Sequence, residues 1–147
     1  MIRQAAILCG GLETRHGAVA EEKPKPLPEV GGAPFLDTLL FELGRYGVRR
    51  VLLLAGHAAQ QITDYAVSTP MKALFGLEID VSVEPERAGT GGAIWHARER
   101  LDDVFFVLSG ATWFDISLLE QAVRVAENHR QPWPSLCDNK RRPAVSG

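Results

Sequence analysis

The apolar positions along the chain fall into a regular succession of short runs and helical stripes. Ala5 to Leu8 is an apolar run that predicts a short buried strand, ending at the pair Gly10-Gly11. Phe35, Leu36, Leu39, Leu40, Leu43 and Tyr46 recur at helical spacing, and Gly47 follows as a C-terminal cap. Val51 to Ala55 is apolar throughout, as suits a strand covered on both faces of a parallel sheet, and Gly56-His57 ends it. A second helix begins over Gln60 to Tyr65 and closes before Pro70. Ile79, Val81 and Val83 alternate with Asp80, Ser82 and Glu84, which predicts a half-buried strand with Asp80 and Ser82 facing out. A helix over Ala93 to Leu101, a strand over Val104 to Leu108 and a helix over Ile116 to Asn128 complete the pattern. This alternation predicts an α/β fold, Rossmann-like, with a mainly parallel sheet, right-handed crossovers and helices on both faces.

Composition narrows the picture. The chain has 147 residues, 46% hydrophobic and 23% charged, as expected of an ordinary globular protein. Residues 1–128 are expected to form one domain, and 129–147 a polar tail, poorly ordered or truncated, with Pro132, Pro134, Pro143 and the run Lys140-Arg141-Arg142. A formal net charge of −2 gives no reason to expect a nucleic acid or an anionic membrane as partner. The two cysteines, Cys9 and Cys137, make no metal or disulfide pattern. Cys9 is expected to be a small buried residue rather than a nucleophile. With neither a signal peptide nor a membrane-spanning stretch in view, the cytoplasm is the expected location, and oligomeric state is left open.

Candidate chemistry gathers where the runs stop. Gly10-Gly11, Gly56-His57, Gly89 to Gly92 and Ser109 to Asp115 each follow a predicted strand. In a parallel sheet all four loops share the carboxyl edge, where such folds bind ligands. The first loop also carries Thr14 and Arg15 and returns through Lys23-Pro24-Lys25-Pro26-Leu27-Pro28. Glycines let the backbone approach a ligand, turn amides can face an anion, and Arg15 and Lys25 add positive charge. These are the means of gripping a polyphosphate; the plain alternative is a strand-to-loop turn with solvated charges. No Gly-Lys-Ser/Thr follows, so this is not a Walker A loop, and the dinucleotide-binding spacing is also missing.

Gly10, Gly11, Thr14, Arg15, Lys25 and Pro26 together resemble the signature of sugar-phosphate nucleotidyltransferases, with Glu13 in place of the usual glycine. Glu84 to Ala93 resembles the Glu-Pro…Gly-Thr-Gly-Gly-Ala segment of the mannose-1-phosphate and heptose-1-phosphate guanylyltransferase branch. Ser109 to Asp115 stands where that branch has Asn-Gly-Asp-Ser-aromatic-Phe-Asp, and the likeness extends to about Asn128. The resemblance implies the nucleotide-diphospho-sugar transferase fold. It implies transfer of a nucleotidyl group from an NTP, GTP favoured, to a sugar 1-phosphate, giving NDP-sugar and pyrophosphate. Arg15 and Lys25 would be catalytic; Leu8, Gly10, Gly11, Thr14, Gly89 and Thr90 would hold the nucleotide. The family also implies Mg²⁺, but its aspartate ligand is replaced by Ala111, leaving Asp115 as a weak substitute. Family members continue past the point where this sequence stops, into the sugar pocket and a second acidic ligand. An impaired enzyme is therefore expected, with a non-catalytic nucleotide- or sugar-phosphate-binding module of the same fold as the alternative.

The remaining conspicuous residues have ordinary readings. His57 caps a strand or faces solvent, Trp95 and Trp113 belong to the core or its rim, and Asp102-Asp103 marks a helix-ending turn. Glu13 either repels a phosphate or caps its loop, and the sequence leaves both open.

Overall fold

The computed structural model of the chain describes residues 2–10, 27–56, 58–86, 89–110 and 117–127. By its contacts the chain divides into two compact units, Met1–Asp115 and Ile116–Gly147.

The first unit is built on four parallel strands: β1 (Gln4–Leu8), β4 (Arg50–Ala55), β5 (Glu78–Val83) and β6 (Phe106–Ser109), ordered β5-β4-β1-β6. A small antiparallel hairpin, β2 (Glu29–Val30) with β3 (Ala33–Pro34), turns through Gly31 and Gly32. Their φ values of +63° and +85° are those a two-residue hairpin turn requires of glycine. Between the strands lie α1 (Phe35–Arg45), α2 (Ala59–Ser68), α3 (Met71–Phe75), α4 (Gly89–His96) and a 3₁₀ turn at Arg98–Arg100.

The sheet is covered on both faces. On one face Ala6, Leu52 and Leu54 pack with Ala93 and Ala97, joined by Leu8, Ile94, Leu101 and Phe105. Ala5, Ile7, Val51 and Leu53 belong to the opposite face, where α2 packs against β4 and β5. Leu36, Leu39, Leu40 and Leu43 of α1 are fully buried, each stabilising the fold by about 1.5–3 kcal/mol relative to exposure. Gly47 follows α1 with φ +90°, its N–H donating to the Gly44 carbonyl at 3.1 Å, as its capping role requires.

Three local expectations need correction. Ser82, expected to face solvent, is buried, whereas Val83 is exposed. The register places Ser82 beside Leu54, on the face that Ala93 and Ala97 cover. The helix expected over Ala93 to Leu101 spans Gly89–His96, with the separate 3₁₀ turn after it. Burial of Ala93 and Ala97 against the sheet outweighs the poor helix propensity of the glycines before them. β6 starts at Phe106 rather than Val104, because Gln4 first holds the incoming backbone: its Nε2 donates to the Arg100 carbonyl at 2.8 Å, and its Oε1 accepts from the Asp102 N–H at 2.6 Å.

In the second unit α5 (Leu118–Glu127) is capped by Ser117, whose Oγ accepts the Glu120 N–H at 3.3 Å. Ser117 and Glu120 have the spacing of a capping box.

Candidate active site at the carboxyl edge of the sheet

The chain runs outward from β1 to β4 and β5, then returns to place β6 on the other side of β1. The reversal makes the β1–β6 boundary the topological switch point, and ligands of such sheets bind outside the strand ends there. The ladder continues one residue past each strand. The Cys9 N–H donates to the Leu54 carbonyl at 2.8 Å, the Glu84 N–H to Ala55 at 3.0 Å, and the Gly110 N–H to Leu8 at 3.0 Å. Leu8, Gly10, Gly56, Glu84 and Gly110 are thereby held at one edge.

Gly10 and Gly56 lie against each other. A Cβ on Gly10 would stand 3.2 Å from the Gly56 nitrogen and 3.4 Å from Glu84 Oε1. The Glu84 side chain occupies the space these glycines leave. Its Oε2 is shut off from solvent and has no hydrogen-bond partner among the described residues. A buried carboxylate oxygen without a donor is costly, and such an atom at a ligand-binding edge points to a donor brought by a ligand. Beyond Gly56, Ala58 adopts φ +54° at the start of α2, a left-handed conformation unusual for alanine. Backbone strain of this kind is often kept where a loop is shaped for binding.

Cys9 lies among these residues but is chemically quiet. It is 1% exposed, its Sγ contacts the Ile7 carbonyl at 3.5 Å, and burial pushes its thiol well above the ordinary range. It is a packing residue rather than a nucleophile.

Of the residues singled out in the sequence, Leu8 and Gly10 lie at the edge just described, with Gly56 and Gly110 beside them. Gly89 and Thr90 are exposed in the first turn of α4. Gly11, Thr14, Arg15, Lys25, His57, Ala111, Trp113, Asp115 and the tail after Glu127 lie outside the described residues. Trp95, expected in the core or its rim, is 68% exposed, with the Arg98 guanidinium 4.4 Å from the ring centroid. That stacking lets the ring remain at the surface. Asp102 forms an ion pair with Arg50. Among the described residues no group of three or more His, Cys, Asp or Glu side chains is arranged to hold a metal ion.

Glu84 is the site residue that sequence reasoning left without a role. Its signal was present: an acidic residue closing an alternating strand, at the edge where ligands of such sheets bind. What the sequence does not show is that two glycines just past the ends of β1 and β4 make room for it.

The comparisons agree with this architecture. The chain is 36% identical over 115 residues to a D-glycero-α-D-manno-heptose 1-phosphate guanylyltransferase from Campylobacter jejuni, covering 78% of this chain and 50% of that protein. It is 34% identical over 116 residues to the enzyme of the same name from Aneurinibacillus thermoaerophilus, covering 78% and 49%. The chain thus spans about half the length of these curated relatives. Among solved structures, HddC from Yersinia pseudotuberculosis in complex with GMP-PN superposes with a TM-score of 0.74 at 30% identity, over 84% of this chain and 54% of that one. The nucleotidyl transferase family model matches residues 4–145, and the chain belongs to that family.

Proposed function

We propose that this chain forms the nucleotide-binding part of a sugar-1-phosphate guanylyltransferase, with GTP and a sugar 1-phosphate as partners and the cytoplasm as its setting. The observation that carries the choice of base is the orphaned Glu84 oxygen beside Gly10 and Gly56. Guanine alone among the common bases presents two adjacent donors, N1–H and the 2-amino group, on its pairing edge. A carboxylate only accepts hydrogen bonds, so it matches that pair with both oxygens. Adenine, cytosine and uracil each place an acceptor against one oxygen.

In the proposed reaction an oxygen of the sugar 1-phosphate attacks the α-phosphorus of GTP. The bond from that phosphorus to the bridging oxygen breaks, and pyrophosphate leaves with the electron pair. Arg15 suits the triphosphate through its fork of donors, and Lys25 suits the attacking phosphate as a point charge. Together they offset repulsion between two anions and hold them in line. Gly11, Thr14, Gly89 and Thr90 complete the nucleotide site in this reading.

Mg²⁺ belongs to the family's chemistry by resemblance. In this reading the family's aspartate position is Ala111, which has no side-chain oxygen, and Asp115 is the weak candidate left for the metal. That observation favours a second reading, a module that binds nucleotide with little or no turnover.

Titration calorimetry with GTP, ATP, CTP and UTP tests the base. GTP should bind tightest, and Glu84→Gln should weaken GTP about tenfold or more by replacing one acceptor with a donor. Arg15→Ala and Lys25→Ala should each weaken all four triphosphates. Equal binding of the four bases by the unaltered chain would overturn the guanine assignment; unchanged affinity in both cation variants would return Arg15 and Lys25 to the solvated surface.

A further inference from the structure

Five glycines among the described residues have positive φ: Gly31, Gly32, Gly47, Gly76 and Gly89. Gly56 is not one of them, so its backbone conformation is open to any residue. What distinguishes it is the atom that faces it. A Cβ on Gly56 would stand 3.3 Å from Glu84 Oε1 and 3.5 Å from Glu84 Cγ. The first distance is tighter than ordinary van der Waals contact, so a methyl group there would displace the carboxylate by a few tenths of an ångström.

We propose that Gly56, at the end of β4, is a positioning residue for base selection: the space left by its absent Cβ fixes where the Glu84 carboxylate stands. The inference rests on the guanine reading above and assigns a role to a strand outside the Gly10-Gly11 loop. Two-point recognition is sensitive to such a displacement. An N–H···O bond is good over only about half an ångström, between about 2.7 and 3.2 Å. A carboxylate pushed from one side can keep one donor in range and lose the other. The triphosphate contacts assigned to Arg15 and Lys25 come from a different loop and do not depend on this oxygen.

The test compares GTP with ITP, which differ only in the 2-amino group. The unaltered chain should bind GTP about tenfold or more tighter than ITP. In folded Gly56→Ala that ratio should fall to about threefold or less, with ITP affinity kept within about threefold of its original value. A ratio that stays at its original value in folded Gly56→Ala overturns the proposal, including the case in which both nucleotides weaken together, as general damage to the edge would produce. If the unaltered chain binds GTP and UTP alike, the guanine reading has failed and the role of Gly56 fails with it. If that chain prefers GTP over UTP but Gly56→Ala keeps its GTP-to-ITP ratio, the proposal alone has failed. Thermal melting followed by circular dichroism establishes folding. Should Gly56→Ala not fold, Glu84→Asp, which draws the carboxylate back by one methylene from the space beside Gly56, is judged by the same ratio, and an unchanged ratio there overturns the proposal.

Discussion

At the scale of single residues, the choice between the two proposed readings, enzyme or binding module, turns on Ala111. Ala111→Asp should increase the Mg²⁺ dependence of GTP binding, because it offers a hard oxygen ligand after the last parallel strand. Calorimetry in Mg²⁺ and in chelator measures it; equal dependence before and after the change would place the metal position elsewhere. Cys9 supports a prediction of a different kind. Burial raises its pKa in the folded state, so above about pH 8.5 the unfolded chain loses the thiol proton while the folded chain keeps it. The unfolded state then binds fewer protons, and stability falls as pH rises. Tyr65, raised by burial and by its hydrogen bond to Asp37, adds to the same trend from about pH 10. Denaturant midpoints between pH 8 and 11 should therefore decline, and Cys9→Ala should flatten the first part of the slope.

Single elements show where sequence patterning informs and where it stops. Gln4 opens β1 at 4% exposure and ties it to the segment leading into β6 through both ends of its amide. Gln4→Met keeps the volume but leaves the Asp102 N–H and the Arg100 carbonyl without their partner. It should cost about 2 kcal/mol in urea unfolding, since a buried polar group left unpaired costs about 1–3 kcal/mol. The same residue explains an error of two positions at the start of β6. Apolar runs made β1 and β4 legible, and helical spacing did the same for α1. The hairpin at Glu29–Pro34 and the five-residue α3 escaped notice because neither has a hydrophobic period of its own. Ser82 was misplaced because alternation gives a side chain's face, whereas α4 decides that the face is covered. The glycine loops were legible as sites; the carboxylate of Glu84 between them was not, since Gly10, Gly56 and Glu84 come together only through strand order.

For the whole first unit, that order of strands makes β1 and β4 interior, each paired on both sides, with β5 and β6 each paired once among the described strands. Native-state hydrogen exchange should show strongest protection for β1 and β4 amides, weaker protection for β5 and β6, and GTP should slow exchange at Cys9, Glu84 and Gly110. Unchanged exchange at all three in saturating GTP would move the nucleotide away from this edge. The pairing of β1 with β6 has a consequence for the making of the protein. Leu8 leaves the ribosome before its neighbour Ser109, which follows only after β4 and β5 have been synthesised. During that interval β1 has one side open, and closing it spans most of the unit's sequence at an entropic cost that grows with the length of the closed loop. The Gly10–Gly56–Glu84 cluster can assemble while β6 is still unmade, whereas the Leu8–Gly110 boundary closes only after β6 has been added.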